Sequence, residues 1–433
     1  MNILVIGSGG REHAIIRKIA QSPRVETVYA LPGNAGIAST PGCECVPISA
    51  TDLPAILGFA ASPSHKIDFA VVTPDDPLCM GLVDELERIG IPAFGPSKAA
   101  ARIEGSKSFA KRLMSKYNIP TARFAEFDNY DDAVAYLKRN SPPYVIKADG
   151  LALGKGVEIA ATLPQAVNAV RERMVDMRFG ESGKRVVIEE CLSGPEASLL
   201  LFTDGDAYRL MPTAMDHKRA FDNDEGDNTG GMGCVAPNLL VTPAMLSEIE
   251  SRIVIPTLAA MRAEGHPFRG CLFIGLMLTN DGPKVIEYNA RFGDPETQAV
   301  MPLLESDLLD ILIATTNHTL DRADARFSRA CSCCVVIASG GYPGKYETGK
   351  PITLPAAVPS NARLDFAGVS IDSIDNHGNH GRLVTSGGRV VGVTATANTM
   401  EGAISGAYAL ARQICFEGMR MRSDIGAKIL REL

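Results

Sequence analysis

The sequence lacks the features that mark membrane, secreted and nucleic-acid-binding proteins. No stretch approaches the roughly 20 uninterrupted apolar residues that a membrane helix needs. The amino terminus, residues 1–7, has neither a basic region nor a cleavage site, so we expect no signal peptide. The net charge is −7, so there is no overall basic field to hold nucleic acid by its phosphates. Local phosphate sites remain possible, because a few amides and lysines are enough to bind one phosphate group.

A cysteine-based metal or disulfide framework is also missing. The chain has ten cysteines in 433 residues. Their spacing, with pairs at 43 and 45 and a cluster at 331, 333 and 334, matches no zinc pattern. The cluster leads into an apolar run at 335–337, which predicts a buried strand. We therefore expect reduced thiols and a cytoplasmic location.

The composition is that of a large globular protein. Hydrophobic residues make up 45% and charged residues 21%, close to the globular average. At roughly 150 residues per domain, the length predicts about three domains. Strands and helices alternate over the first hundred residues, which favours a doubly wound parallel sheet. From about residue 106 the pattern becomes α+β, and a β-rich region follows from about residue 327.

We expect strands in the first region at 3–6, 25–30, 69–73 and 92–95, and helices at 12–21 and 80–89. Further strands are predicted at 144–147, 157–160, 186–190, 198–203, 210–212, 271–279 and 284–289. Helices are predicted at 108–118, 163–177, 243–264 and from about 399. Residues 280–283 (Asn-Asp-Gly-Pro) predict a tight hairpin turn.

The first loop with chemical character is 7–12 (Gly-Ser-Gly-Gly-Arg-Glu). It begins like a dinucleotide fingerprint, but Glu12 occupies the position of the third glycine, so it is weak evidence for NAD. Amides at a helix amino terminus beside Arg11 can instead bind one phosphate. Asn34, in a Pro-Gly-Asn turn after the next strand, strengthens that interpretation. The alternative is a plain strand-to-helix turn.

The second loop lies at 147–157. A Walker A loop needs one more residue, a Ser or Thr after the lysine and a following helix, whereas a strand follows here. This is a glycine-rich hairpin able to fold over nucleotide phosphates, with Lys147 directing a cation at them. The alternative is a mobile surface hairpin.

Two strand ends carry carboxylates. Residues 186–190 end in Glu189 and Glu190, which suits an adenine-binding hinge with Glu196 accepting from ribose hydroxyls; a salt-bridging strand end explains them as well. Farther on, alternation places Glu287 and Asn289 on one face of a strand, with Tyr288 directed into the core. An oxygen pair at that spacing suits Mg²⁺.

Arg291 follows on the same face and can bind a carboxylate or phosphate with its fork of donors. The alternative for the whole stretch is an exposed polar strand. Between these elements, residues 216–219 (Asp-His-Lys-Arg) precede an acidic, glycine-containing run at 222–233. That pattern favours a loop wrapped around a charged ligand, and we expect His217 to be a structural or phosphate-facing donor.

In this order the motifs resemble those of the ATP-grasp ligases, most closely the branch that joins glycine to 5-phosphoribosylamine. The similarity spans nearly the whole chain: residues 7–14, 32–34, the glycine hairpin, 228–233, 287–298 and 341–343. One departure is Thr-Pro-Asp-Asp-Pro-Leu at 73–78, where many members read Gly-Pro-Glu-Ala-Pro-Leu; ribose contacts are expected to differ in detail there.

The resemblance implies an α/β and α+β multidomain architecture: an amino-terminal substrate-binding domain (1–105), an ATP-grasp domain (106–326) with a small lid lobe at about 122–192, and a carboxy-terminal small β-rich domain (327–433). It implies ATP-dependent ligation of glycine to 5-phosphoribosylamine through a glycyl phosphate, in purine biosynthesis, with Mg²⁺ or Mn²⁺. A monomer is expected.

The resemblance also implies roles for particular residues. The expected nucleotide-binding residues are Lys107, Lys147, Gly154, Lys155, Gly156, Glu189, Glu190, Leu192, Glu196 and Lys218. The expected substrate-binding residues are Gly9, Gly10, Arg11, Asn34, Asp75, Thr229, Gly230 and Gly231. Glu287 and Asn289 are the expected metal ligands, and Arg291, Asp216 and Asp294 the expected catalytic residues.

Three other functions fit the sequence less well. Another carboxylate–amine ligase or a biotin-dependent carboxylase component would share the superfamily, but no biotin or bicarbonate signature is present and residues 228–233 argue against it. An NAD-dependent oxidoreductase would depend on the incomplete fingerprint alone. A non-catalytic nucleotide-binding regulator would be expected to have lost Glu287, Asn289 or Arg291.

Overall fold

The computed structural model describes residues 1–152, 156–372 and 381–432. The first hundred residues contain strands β1 (Asn2–Gly7), β2 (Thr27–Pro32), β3 (Cys43–Cys45), β4 (Ile67–Val72) and β5 (Ala93–Phe94), and helices α1 (Gly10–Ile19), α2 (Ala35–Ala38), α3 (Leu53–Ala60), α4 (Asp75–Met80) and α5 (Leu82–Arg88). The strands form a parallel sheet in the order β3-β2-β1-β4-β5. This confirms the predicted doubly wound sheet.

The strand order decides where a ligand can bind. Chain connections leave β1 and β4 toward opposite sides, and such a switch point opens a crevice at the carboxyl ends of the two strands. Residues 7–10 follow β1 and residues 73–76 follow β4, so both loops border that crevice. Ile3–Ile6 are fully buried, as expected for a strand covered on both faces.

Two predictions in this region were wrong in detail. The third strand along the chain is β3, which at three residues is too short to show a periodic pattern, and the strand predicted as third is β4. The helix predicted at 80–89 corresponds to α5, and the short helix α4 that precedes it was not predicted. Gly81 separates them because its φ of 95° is left-handed and ends α4.

Two helices lead out of this sheet, and a small lobe follows. These elements are α6 (Lys98–Gly105), α7 (Lys107–Lys116), β6 (Phe124–Phe127), α8 (Tyr130–Arg139), β7 (Tyr144–Ala148), β8 (Val157–Ala160), α9 (Leu163–Met174) and β9 (Val186–Glu190). The lobe's antiparallel sheet has the order β6-β9-β7-β8, and α8 and α9 pack on it over their own apolar cluster. The predicted α+β unit is confirmed, although α9 ends three residues before the predicted end of that helix.

The next stretch contributes β10 (Glu196–Thr203), β11 (Tyr208–Leu210), β12 (Met215–Asp216), β13 (Arg219–Phe221), β14 (Glu225–Asn228), β15 (Gly233–Ala236), α10 (Pro243–Ile249), α11 (Ile255–Ala263), β16 (Gly270–Thr279), β17 (Gly282–Asn289), α12 (Glu296–Val300) and α13 (Leu308–Thr316). A central antiparallel sheet has the order β11-β10-β16-β17. The predicted hairpin is confirmed, since Thr279 pairs with Gly282. A π-helical segment, Glu250–Val254, connects α10 and α11. The strand predicted at 210–212 begins two residues earlier.

The last part of the chain contains β18 (Cys331–Ala338), β19 (Ala362–Phe366), β20 (Val369–Ile371), β21 (Leu383–Thr385), β22 (Arg389–Ala397), α14 (Met400–Ala411) and α15 (Ala427–Glu432). Its main sheet has the order β12-β15-β18-β22-β19. Two strands from the central part of the chain, β12 and β15, therefore belong to a sheet with carboxy-terminal strands. The sheet crosses the boundary that we expected near residue 327.

The predicted strand after the cysteine cluster is confirmed, because Cys331, Cys333 and Cys334 lie buried in β18. All ten cysteines are free thiols. Among the helices of the described residues, none is both long and apolar enough to cross a bilayer.

Candidate active site

A cavity of about 920 Å³ lies where the small lobe, the central sheet and the segment 215–230 meet. It brings together sixteen of the predicted site residues: Asp75, Lys107, Lys147, Gly156, Glu189, Glu190, Leu192, Glu196, Asp216, Lys218, Thr229, Gly230, Glu287, Asn289, Arg291 and Asp294. Five others, Gly9, Gly10, Arg11, Asn34 and Gly231, do not line it. Gly154 and Lys155 lie outside the described residues.

Strand β17 presents its polar residues to this cavity, as alternation predicted. Glu287 and Asn289 face the cavity, whereas Tyr288 is 3% exposed and its hydroxyl hydrogen-bonds to that of Thr257 at 2.7 Å. Because one strand supplies both oxygen-bearing side chains, their separation is fixed by the backbone.

Lys218 links two carboxylates across the cavity. Its Nζ lies 3.0 Å from Glu287 Oε1 and 3.2 Å from Glu196 Oε2. The positive charges of Lys218 and Lys147 lower the pKa of Glu287 to about 2, although burial opposes the shift. Glu287 is therefore an ionised carboxylate at neutral pH.

Glu104, at the end of α6, is a site residue that the sequence reasoning missed. Its Oε1 accepts from Asn289 Nδ2 at 2.8 Å, its Oε2 accepts from the amide of Ala290 at 2.7 Å, and Arg291 lies 3.0 Å away. Burial raises the pKa of Glu104, and Arg291 opposes that shift. No local pattern marks this residue, because its partners lie 185 or more positions farther along the chain.

The arrangement around Asn289 fits a hard divalent cation. Because the amide nitrogen of Asn289 donates to Glu104, its oxygen is the atom left for a ligand, beside the ionised Glu287. In the described part of the chain no cluster of three or more His, Cys, Asp or Glu side chains could hold a metal alone. A cation here would complete its shell with water and phosphate oxygens, as Mg²⁺ usually does.

The carboxylate of Glu189 lies in the cavity wall between two lysines. Both of its oxygens are 2.8 Å from lysines, Oε2 from Lys111 and Oε1 from Lys147, and all three side chains are at least nine-tenths buried. Lys147 Nζ also donates to Ile286 O at 2.9 Å. Glu190 pairs with Arg123 at 2.7 Å. The salt-bridging strand end, our alternative interpretation, describes these two carboxylates.

In the loop after β1, the Arg11 side chain bonds within the protein. Arg11 is buried and donates to Glu12 Oε1 at 2.6 Å and to Phe292 O at 3.1 Å, so its side chain is committed to the protein. Glu12, which interrupts the fingerprint, accepts from the Gly9 amide at 2.7 Å and packs against Gly7. Gly7 has a φ of 124° and no room for a Cβ.

Asn34 is likewise turned toward the protein. Its Nδ2 donates to Ser8 O at 2.7 Å and to Phe366 O at 2.9 Å, and its Oδ1 caps α2 through the Ile37 amide. In this structure the Arg11 and Asn34 side chains therefore bond within the protein, and their binding of a sugar phosphate stays a prediction. Two of their partners, Phe292 and Phe366, lie 281 and 332 residues farther along the chain, which sequence spacing does not show.

His217 is a structural residue, as expected. Its Nε2 accepts from the Gly426 amide at 3.1 Å, so the ring proton sits on Nδ1, which lies 3.2 Å from Gly233 O. Burial lowers the pKa of His217 to about 4, and Arg422 adds to that shift. The imidazole is neutral and both nitrogens are used, so it is unsuited to act as a base.

Asp216 and Glu296 form an acidic pair that also lines the cavity. Burial and Glu296 raise the pKa of Asp216 well above its ordinary range, and burial raises the pKa of Glu296. Oδ1 of Asp216 is buried without a hydrogen-bond partner among the described residues, whereas Glu296 accepts from the Ser198 hydroxyl at 3.0 Å. A cationic amine placed between the two acids would stabilise their ionised forms.

Comparison with known families gives a consistent result over the whole chain. Residues 1–104, 105–297 and 332–428 match the N domain, the ATP-grasp (A) domain and the C domain of phosphoribosylglycinamide synthetase. The phosphoribosylamine–glycine ligase of Vibrio vulnificus is 44% identical over 432 residues, covering 99% of each chain. That of Caldanaerobacter subterraneus is 47% identical over 427 residues, covering 99% of this chain and all of the relative.

A bifunctional purine biosynthetic protein of Schizosaccharomyces pombe is 48% identical over 425 residues, but this chain spans only 53% of its length. Among solved structures, a phosphoribosylamine–glycine ligase of Thermotoga maritima superposes with a TM-score of 0.83 at 35% identity, covering 98% of this chain. A biotin carboxylase of Campylobacter jejuni has a TM-score of 0.73 at 13% identity, which shows a common fold only.

Proposed function

The chain belongs to the phosphoribosylglycinamide synthetase family and is an ATP-dependent carbon–nitrogen ligase, and we propose that it joins glycine to 5-phosphoribosylamine in the cavity described above. The observation that carries this proposal is the combination of cations and acids in one cavity. Lys107, Lys147 and Lys218 line it together with the oxygen pair Glu287 and Asn289, and the acids Asp216 and Glu296 line it as well. The cations and the oxygen pair suit phosphates, and the acids suit an amine.

In the first step the glycine carboxylate attacks the γ-phosphorus of ATP, and ADP leaves as the glycyl phosphate forms. The cations that neutralise the transferring phosphoryl group are Lys107, Lys147 and Lys218. Phosphoryl transfer needs mainly such positioning and charge stabilisation, with little covalent help from the protein. Glu287 and Asn289 would hold Mg²⁺ or Mn²⁺, which when bound neutralises phosphate charge.

Arg291 is placed to bind the glycyl carboxylate and its phosphate. Its guanidinium pairs with Glu104 at 3.0 Å, yet its Nε is buried without a partner among the described residues. An anionic ligand would satisfy that donor, and an unsatisfied buried donor costs about 1–3 kcal/mol.

In the second step the amine nitrogen of phosphoribosylamine attacks the acyl carbon, and inorganic phosphate leaves. Asp216 and Asp294 are assigned to orient the amines, and a bound cation would favour the ionised form of Asp216, whose pKa is raised in its absence. Gly9 and Gly10 are assigned to the sugar phosphate through the amino terminus of α1. The position of a Cβ on Gly9 is 3.6 Å from Asp294 Oδ2, so this loop borders Asp294.

The hairpin between β7 and β8 is assigned to cover the nucleotide phosphates, since an acyl phosphate hydrolyses in open water. Leu151, Ala152 and Gly156 are its described residues beside the cavity. Leu192 and the main chain around Glu190 are assigned to adenine, and Glu196 to ribose. We further assign the enzyme to the cytoplasm as a monomer, and keep the domain limits 1–105, 106–326 and 327–433.

The test is ADP release measured with ATP, glycine and freshly made phosphoribosylamine, omitting each substrate in turn. Ligation requires both glycine and the amine for sustained turnover, so ADP release that is independent of glycine would overturn the proposal. In the same assay, the double variant Glu287→Ala/Asn289→Ala should lose activity while its circular dichroism spectrum is unchanged. Normal turnover of that variant in excess Mg²⁺ would remove the metal assignment.

A further inference from the structure

Two carboxy-terminal side chains bond to the cavity residues Gly230 and Asp294 from outside the cavity. Arg389, at the start of β22, donates through NH1 to Gly230 O and, at 3.0 Å, to Asp294 O. Its NH2 donates to Asp294 Oδ2 at 2.8 Å. Tyr342 accepts from the Gly230 amide at 3.0 Å through its hydroxyl oxygen. Arg389 and Tyr342 do not line the cavity, whereas Gly230 and Asp294 do.

The segment that these side chains hold has little rigidity of its own. Gly230 and Gly231 are consecutive glycines, and Gly231 has a φ of 105°. Glycine loses more conformational freedom on ordering than any other residue, so such a segment needs external bonds to keep one shape. The Thr229 hydroxyl supplies one by accepting from the Gly231 amide at 2.9 Å. Arg389 and Tyr342 supply the others from a different domain.

The bonds converge beside the loop assigned to the sugar phosphate. Asp294 Oδ2, which Arg389 holds, faces the Gly9 position of the α1 loop. Oδ1 accepts from Gln298 Nε2 at 2.7 Å. With both carboxylate oxygens bonded, Asp294 has one fixed orientation at the junction of the amino-terminal, central and carboxy-terminal parts.

We propose that Arg389 and Tyr342 are positioning residues that hold Thr229–Gly231 and Asp294 in the geometry required to bind phosphoribosylamine. The inference depends on the proposed function and extends it, because it makes the carboxy-terminal domain part of the acceptor site. The fork of Arg389 serves two carbonyls and a carboxylate together. A lysine has no such planar fork and can replace only one of these bonds at a time.

The experiment compares Arg389→Gln, Arg389→Lys and Tyr342→Phe with a matched control, Tyr346→Phe. Tyr346 is 41% exposed and lies next to Tyr342, with ring centroids 6.2 Å apart. We expect Arg389→Gln to raise KM for phosphoribosylamine about tenfold or more, with KM for ATP within about twofold, in line with loss of a charged hydrogen bond. Arg389→Lys should recover part of the loss, and Tyr342→Phe should show a smaller increase. Tyr346→Phe should match wild type.

A second readout follows the loop itself. Hydrogen exchange in a peptide covering 226–236 should rise in Arg389→Gln and Tyr342→Phe, while peptides from α14 stay protected. Unchanged KM for phosphoribosylamine in both variants would overturn the proposal, as would parallel losses of ATP and phosphoribosylamine affinity with general loss of protection. Wild type is assayed alongside the variants. If the ligase assignment is wrong, wild type will show no ligation, and that outcome differs from unchanged KM values in variants of an active enzyme.

Discussion

Replacing Glu189 by Gln tests whether this carboxylate is a buried counter-ion or a nucleotide contact. The change removes the charge between Lys111 and Lys147 while keeping the size of the side chain. Breaking a buried ion pair by removing one partner typically costs about 3–5 kcal/mol, because the remaining charge stays desolvated. The neighbouring Glu190→Gln is the matched control. Its partner Arg123 has an 88% exposed side chain, and such pairs contribute at most about 1 kcal/mol.

The contribution of each lysine to this loss of stability can be worked out. Burial lowers the pKa of Lys111 from 10.5 to about 8, even though Glu189 raises it. Without Glu189, Lys111 can lose its proton at neutral pH, which limits its own added cost to roughly 1–2 kcal/mol at 1.36 kcal/mol per pKa unit. The remainder of the penalty falls on Lys147, whose hydrogen bond to the Ile286 carbonyl remains.

The assay is urea unfolding followed by circular dichroism, with ATP binding measured by calorimetry on the same samples. We expect Glu189→Gln to lose about 3 kcal/mol or more and Glu190→Gln about 1 kcal/mol or less. Adding Lys111→Met to Glu189→Gln should restore part of the stability. Equal midpoints for the two single variants would refute this reasoning. So would a wild-type midpoint in Glu189→Gln together with weakened ATP binding, which is the result expected for an adenine contact.

Two further predictions follow from other buried groups. Glu104→Gln should lower the free energy of unfolding by about 3 kcal/mol, since Arg291 loses its counter-ion. It should also raise the Mg²⁺ concentration needed for ATP binding, since Gln keeps one acceptor oxygen where Glu104 uses two, for the Asn289 side chain and the Ala290 amide. A magnesium titration of ATP binding identical to that of wild type would contradict it. The pKa of His217 is lowered to about 4 in the folded chain, so below pH 6.5 the unfolded chain takes up the proton first and stability falls as the pH falls. At about pH 5 this loss of unfolding free energy is roughly 2 kcal/mol. Between about pH 7.5 and pH 5, the unfolding free energy of His217→Gln should therefore fall by roughly 2 kcal/mol less than that of wild type.

Local features of the fold followed from the sequence because their causes are local. Alternating apolar residues predicted β17 and the inward direction of Tyr288, and the Asn-Asp-Gly turn predicted the β16–β17 hairpin. Strand β3 was not predicted, because three residues are too few to show an alternating pattern. The break between α4 and α5 depends on the left-handed backbone of Gly81, and a glycine alone does not show which sign of φ it will adopt.

The candidate site divides in the same way. Glu287 and Asn289 could be paired from the sequence, because one strand fixes their spacing. Glu104 could not be found, because helix α6 meets that strand only after the chain has folded back over 185 residues. Arg11 and Asn34 lie in loops that follow β1 and β2, but their side chains hydrogen-bond to the backbone carbonyls of Phe292 and Phe366.

The sequence by itself determined the family, the parallel amino-terminal sheet and the set of residue types that gather in the cavity. Those depend on motifs and periodicities that are complete within a few residues. Only the tertiary structure decided which charges neutralise one another, as Glu189 does between two lysines, and which domain supports which loop, as Arg389 does for Gly230 and Asp294. The physical reason is that hydrogen bonds and ion pairs act over about 3 Å in space, and folding brings to that distance residues that are far apart along the chain.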